Sequence, residues 1–100
     1  GLLVAKTGVA EGHSVKLFLA ADAVHALDCR AEGDIVGQGT GDAHLHLQAL
    51  AAANVQIMVS GMSAKARGYD DSLLAGYNAS FAMPDTLIAL ALDADTVLCY

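Results

Sequence analysis

A short polar stretch with the sequence SGMSAKARG begins at Ser60 and carries the side chains best suited to bind a ligand. It follows an apolar segment, and Ser63 is placed to cap a helix whose first backbone N–H groups are free. Lys65 and Arg67 add positive charge beside those groups. Free N–H groups together with two cations predict the binding of a small anion.

A second segment is expected to meet this stretch. Ligands of open α/β sheets gather beyond the carboxyl ends of the strands, where Ala20, Ala21 and Asp22 also follow an apolar run. In the structural alternative, the two cations pair with Asp70, Asp71 or a neighbouring subunit. The residues predicted to bind a ligand are Asp22, Ser60, Gly61, Met62, Ser63, Lys65 and Arg67.

The histidines and cysteines predict no metal site and no cofactor. The pair in His44-Leu45-His46 would face different directions on a helix, and no third ligand lies at a useful spacing. We expect these two histidines, with His13 and His25, to face solvent or cap helices. Cys29 and Cys99 form no CxxC motif, so we expect small packing residues, and a disulfide between them stays open.

Hydrophobic periodicity, turn residues and helix caps divide the chain into alternating helices and strands. Asp22, Asp42 and Ser63 are predicted caps, whereas Gly12 and Gly76 are predicted helix ends. Helices are predicted for 1–11, 22–33, 42–53, 63–68, 70–75 and from Pro84 onward. Strands are predicted for 14–20, 55–60 and 96–100, with a short strand or link at 34–36 and a glycine-rich turn at 37–41.

This order predicts a three-layer α/β/α sandwich. Strands separated by helices require right-handed crossovers and therefore a mainly parallel sheet with helices on both faces. A chain of 100 residues is expected to form one domain, spanning 1–100.

Composition restricts the partners. The chain is 55% hydrophobic and 16% charged, which predicts burial of part of its surface in a homo-oligomer. A net charge of −6 without a basic stripe argues against nucleic-acid binding. No apolar run reaches membrane-spanning length and no leader pattern is evident, so the cytoplasm is the expected compartment.

Three stretches in order resemble one family: AEGHSVKLFLAADAV, GTGDAHLHLQALAAANVQIMVSGMSAKARGY and ALALDADTVLCY. From Gly1 to Tyr100 the chain resembles the DsrE/DsrF-like family, which includes sulfur-relay proteins. The resemblance implies a compact α/β/α domain that forms trimers or hexamers, with a sulfur-relay partner protein possible. Relatives usually begin with a strand before the first helix, so we expect an N-terminally incomplete chain or a gap covered by a partner subunit.

The resemblance also places Ser60 where relay members carry a persulfide on a cysteine. Serine cannot form a persulfide, and its hydroxyl is a weak nucleophile without a nearby base. The resemblance therefore implies a domain that binds a small molecule or a partner and lacks the usual persulfide cysteine, and it leaves open whether the domain is an enzyme. One alternative is a sulfur carrier that uses Cys99 or Cys29, and another is a small enzyme with Lys65, Arg67 and Asp22 around an anionic metabolite.

Overall fold

The computed structural model describes residues 1–28, 36–37 and 41–99 of the chain. Its α-helices are α1 (Leu2–Ala10), α2 (Ala43–Ala52), α3 (Gly61–Ala66) and α4 (Pro84–Asp93). Its strands are β1 (Lys16–Leu19), β2 (Val36–Gly37), β3 (Gly41–Asp42), β4 (Gln56–Ser60) and β5 (Ala79–Ala82), and 3-10 helices span Ala21–Leu27 and Asp71–Leu74.

Strands β1, β4 and β5 form a parallel sheet in the order β1-β4-β5. Leu17 pairs with Ile57, and Ile57 pairs with Ala79, so these three side chains share one face. Because the strands run in one direction, their carboxyl ends, including that of β4 at Ser60, lie at the same edge. The predicted α/β class and parallel sheet are confirmed, and β2 and β3 pair separately as a short antiparallel hairpin.

Two apolar clusters form the core. Leu47 of α2 packs against Ile57 and Val59 of β4, and all three are fully buried. Burial of one such side chain stabilises the fold by about 1.5–3 kcal/mol. A smaller cluster joins α1 to α2 through Ala5 and Leu50. The buried members of the main cluster are Leu19, Val24, Leu27, Leu47, Ile57, Val59, Ala64 and Leu73.

The sheet residues of both clusters lie on one face. Phe18, Met58 and Ser80 are aligned by the strand register on the opposite face. Helix α4 follows β5 and buries none of its residues, although Leu87, Ile88 and Leu92 are large and apolar. No helix within the described residues is long and apolar enough to cross a bilayer.

Helix α3 ends in a Schellman motif. The N–H of Gly68 donates to the carbonyl of Lys65 at 3.1 Å, and the N–H of Tyr69 donates to the carbonyl of Ala64 at 3.0 Å. Gly68 accommodates this geometry because its φ is +79°, in the left-handed region. The predicted end of α1 at Gly12 has the same pattern and is confirmed.

Two predicted helix caps are wrong. Ser60, and not Ser63, caps α3, because the Ser60 hydroxyl accepts the backbone N–H of Ser63. Helix α3 therefore begins at Gly61, directly after the last residue of β4, and the loop predicted before this helix does not exist. The 3-10 helix Ala21–Leu27 has no side-chain cap. Asp22 lies in its first turn and binds Arg67 instead.

The strand predictions also need correction. β5 was not predicted, since ASFA has no β-branched residue; it forms because β4 offers it a partner. The predicted closing strand is wrong: 96–99 forms no strand, and Val97 and Leu98 are exposed. Asp42, a predicted cap, lies in β3 directly before Ala43, where α2 begins, and its side chain lies outside the described residues, so this cap stays a prediction. Cys29, Tyr100, the predicted helix end at Gly33 and positions 38–40 of the predicted turn lie outside the described residues.

Candidate functional site

The carboxyl ends of β1 and β4 are joined by two serine side chains. Leu19 pairs with Val59, which places the chain after β1 beside Ser60. The backbone N–H of Ala21 donates to Ser63 Oγ at 2.9 Å, and the N–H of Ser63 donates to Ser60 Oγ at 3.2 Å. Both hydroxyl oxygens therefore accept backbone hydrogen bonds that hold this edge together.

Arg67 fixes the same edge from the end of α3. Its Nε and Nη2 donate to Asp22 Oδ1 at 3.1 and 2.9 Å, and its Nη1 donates to the carbonyl of Ser63 at 3.1 Å. These hydrogen bonds, and secondarily the charge of the guanidinium, hold the pKa of Asp22 below its ordinary value. His25 contributes a smaller effect in the same direction. The Asp22 side chain is 90% exposed, so solvent weakens this ion pair.

Ala21 adopts a backbone conformation that favours glycine. Its φ is +52°, in the left-handed region, where a Cβ atom is disfavoured by about 1–2 kcal/mol. The hydrogen bond to Ser63 Oγ lies directly at this residue, and the Asp22–Arg67 pair lies next to it. These contacts hold the strained residue in place.

A second polar network lies one turn further along the 3-10 helix Ala21–Leu27. His25 Nδ1 lies 2.6 Å from Tyr69 Oη, and that hydroxyl donates to Asp28 Oδ2 at 2.8 Å. The His25 and Tyr69 rings meet edge to face, with centroids 5.5 Å apart. The Schellman motif after α3 brings Tyr69 back to this helix.

The structure brings together four of the seven residues predicted to bind a ligand: Asp22, Ser60, Ser63 and Arg67. Gly61 opens α3, where an added Cβ would lie 3.7 Å from Phe81 Cβ. Met62 is exposed beside it. Lys65 is exposed, and within the described residues its side chain makes no hydrogen bond or ion pair with the other four.

The proposed pairing of the two cations with neighbouring aspartates is wrong for the described residues. Arg67 pairs with Asp22, and Asp70 instead caps the 3-10 helix Asp71–Leu74 through the N–H of Ser72. Hydrogen bonds from the Ser72 side chain and backbone hold the pKa of Asp70 below its ordinary value. The guanidinium of Arg67 is therefore occupied by a carboxylate of the same chain.

A cavity of about 780 Å³ lies beside this edge, and none of the seven predicted residues lines it. Asp28 and Tyr69 of the second network contribute to its wall, together with Tyr77 and the apolar side chains of Leu27 and Leu73. The seven predicted residues thus form an open edge of the sheet, which we call the rim, and do not enclose this cavity.

The histidines and cysteines differ from expectation. His46 is buried and does not face solvent, and His25 is partly buried and bonded to Tyr69. Cys99 is exposed and does not pack in the core. The side chain of His44 lies outside the described residues, as does Cys29. Within the described ranges, no three His, Cys, Asp or Glu side chains converge as metal ligands would.

Sequence analysis missed the second network. Asp22, His25 and Asp28 are spaced by three residues, and in a 3-10 helix such side chains eclipse one another. On an α-helix, side chains at the same spacing point in successively different directions around the axis. The spacing therefore predicts a shared face only if the helix is known to be a 3-10 helix. The sequence contains the signal but does not identify the helix as 3-10.

Comparisons with known proteins give one match. The family model described as the DsrE/DsrF-like family matches residues 1–100. No curated protein and no solved structure matches the chain.

Proposed function

Because this chain belongs to the DsrE/DsrF-like family, a family associated with sulfur relay, we propose that it is a binding domain of that family in which position 60 carries no sulfur. The observation that supports this proposal is the role of Ser60. Its hydroxyl lies at the carboxyl end of β4 and accepts the N–H that begins α3. A hydroxyl in this position serves as a helix cap and cannot form a persulfide.

Among the described residues, no proton acceptor activates Ser60. Its hydroxyl makes no hydrogen bond to a histidine, lysine or carboxylate in the part of the chain that the structure describes. Nucleophilic serines require such a base in hydrogen-bond reach. Arg67 is also less suited to an anionic substrate, because three of its five N–H groups already donate hydrogen bonds and its charge is paired with Asp22. These contacts favour binding over catalysis at the rim.

A sulfur carrier that uses another cysteine is the second candidate. Cys99 is exposed in the segment after α4, where a sulfur donor can reach its thiol. This candidate requires a reactive thiolate, and therefore a positive or hydrogen-bonding environment around the sulfur. Alkylation rates that follow those of an ordinary cysteine across the pH range would remove it.

Self-association is part of the proposal. Leu87, Ile88 and Leu92 project from α4 with 39%, 60% and 82% of their surfaces exposed. Val97 and Leu98, which follow α4, are exposed as well. Apolar side chains that cluster on one surface are typical of subunit interfaces. Light scattering at micromolar concentration should show an oligomer, whereas a monomer of 10.2 kDa would contradict this part.

The sulfur proposal is tested by adding one equivalent of glutathione persulfide and measuring intact mass. We expect no stable gain of one sulfur atom, because position 60 has no thiol. A stable gain that disappears in Cys99→Ser or Cys29→Ser would contradict the proposal and support the second candidate. The two single variants separate the cysteines from each other.

A further inference from the structure

One side of the 3-10 helix Ala21–Leu27 carries polar side chains at and beside the rim. Asp22, His25 and the C-terminal cap Asp28 follow one another at intervals of three residues and therefore project to the same side. Arg67 and Tyr69, at and after the end of α3, face them: Arg67 donates to Asp22, and Tyr69 bonds to His25 and Asp28. These five side chains form one hydrogen-bonded cluster. It extends from the Asp22–Arg67 pair at the rim to the His25–Tyr69–Asp28 contacts of the second network.

The protons of the second network can be assigned by counting donors. A carboxylate only accepts hydrogen bonds, so the single phenolic proton of Tyr69 is donated to Asp28. The remaining contact, 2.6 Å from Tyr69 Oη to His25 Nδ1, then needs its proton from the imidazole. His25 Nδ1 therefore carries a proton, and Nε2 of the neutral ring carries a lone pair.

The open polar atoms of Asp22 and His25 are acceptors. Both Arg67 hydrogen bonds to Asp22 end on Oδ1, which leaves Oδ2 open on a side chain that is 90% exposed. His25 is partly buried, and its Nε2 makes no hydrogen bond within the described residues. Among the donors that face them, the Tyr69 hydroxyl and three of the five Arg67 N–H groups are already bonded, and the charge of Arg67 is paired with Asp22. The chain also has a net charge of −6, which favours a cation over an anion.

We infer that Tyr69, anchored by Asp28, holds His25 with its proton on Nδ1, so that His25 Nε2 and Asp22 Oδ2 together receive the ammonium group of a small organic cation. Tyr69 is the positioning residue, and His25 and Asp22 determine the sign of the ligand. This inference rests on the proposed binding function and reverses the anion preference that Lys65 and Arg67 suggested in the sequence.

The tautomer is tested by long-range ¹H–¹⁵N NMR of the imidazoles at about pH 8.5, where an ordinary histidine is neutral. His25→Gln assigns the signals. We expect a protonated-type Nδ1 and an unprotonated-type Nε2 for His25. Tyr69→Phe should shift His25 toward the mixture of tautomers of free imidazole, whereas Tyr77→Phe, which removes the other nearby phenol, should not. A protonated Nε2 in the wild-type protein would overturn the inference without any variant.

The ligand class is tested on the same sample with methylammonium and acetate, which are similar in size and opposite in charge. Methylammonium should shift the His25 Nε2 signal saturably, and Asp22→Asn should weaken its binding several-fold. A saturable response to acetate, or none to methylammonium, would overturn the inference. Neither result changes the persulfide test of Ser60, so the two proposals fail separately.

Discussion

Arg67 reaches back across 45 residues of sequence to place two hydrogen bonds on one oxygen of Asp22. The contact joins the end of α3 to the first turn after β1 and closes the rim beside Ser63. An arginine that looks in the sequence like part of an anion site is thus used to position the chain.

The Asp22–Arg67 pair should make stability depend on acid pH. The pKa of Asp22 is lowered in the folded state, so its contribution is present above the unfolded value of about 3.9 and is lost as pH falls through the folded pKa. Asp22→Asn should therefore lower Tm slightly near neutral pH, and the difference from wild type should shrink below about pH 4. Asp95→Asn, at an exposed position after α4, serves as the control. A difference that stays constant down to strongly acid pH would contradict the assignment.

Removal of the α3 cap should destabilise the protein. Ser60→Ala deletes the acceptor of the Ser63 N–H and should reduce the free energy of unfolding by about 0.5–2 kcal/mol. Urea denaturation measures this change. Ser14→Ala, at an exposed serine outside any helix or strand, should change stability by less than about 0.5 kcal/mol. Equal effects of the two variants would show that Ser60 is not a cap.

The strained backbone at Ala21 gives a comparison within one 3-10 helix. Ala21→Gly removes the steric cost of a left-handed backbone at this position. The variant should be as stable as the wild-type protein or more stable, because this gain offsets the larger conformational entropy that glycine has in the unfolded chain. Ala23→Gly lies two residues on, is equally exposed and has no positive φ, so it should destabilise by about 0.5–1 kcal/mol. Unfolding curves that rank the variants in the opposite order would exclude the left-handed conformation.

Packing of α2 on the sheet gives a prediction independent of the rim. Leu47 is fully buried against β4, so Leu47→Ala should cost about 2–5 kcal/mol of unfolding free energy. Leu45 lies on the same helix with 59% of its surface exposed. Leu45→Ala should cost less than about 0.5 kcal/mol. Similar losses from both variants would mean that another face of α2 contacts the sheet.

The sequence predicts the parts of this fold that depend on local pattern. β4 is evident because Val55, Ile57 and Val59 are β-branched and follow the turn former Asn54. The end of α1 is predicted by Gly12, because glycine readily adopts the left-handed conformation that ends a helix. The start of α4 is predicted by Pro84, because the fixed φ of proline suits the first turn of a helix. These signals also predict that the carboxyl ends of β1 and β4 meet.

The remaining features depend on tertiary contacts. β5 consists of small and polar residues and forms on the edge that β4 supplies. The segment at 96–99 has stronger β propensity yet pairs with no strand in the described part of the chain. Asp22 forms an ion pair with Arg67 and does not cap a helix, and Tyr69 packs against His25. Both contacts join residues that are more than 40 positions apart in the sequence. No local pattern contains this information.

We propose that Ser60, at the carboxyl end of β4, stands where sulfur-relay members of the family carry their reactive cysteine. The most direct measurement is the rate at which Ser60→Cys gains one sulfur atom from glutathione persulfide, compared with Ser14→Cys at an exposed site and with the wild-type protein. A cysteine at the cap of α3 would receive the Ser63 N–H, which favours its thiolate. Ser60→Cys should gain sulfur faster than Ser14→Cys and faster than the wild-type protein, whose Cys99 is exposed. Equal rates for the two variants, or sulfur uptake by the wild-type protein as fast as by Ser60→Cys, would contradict the account.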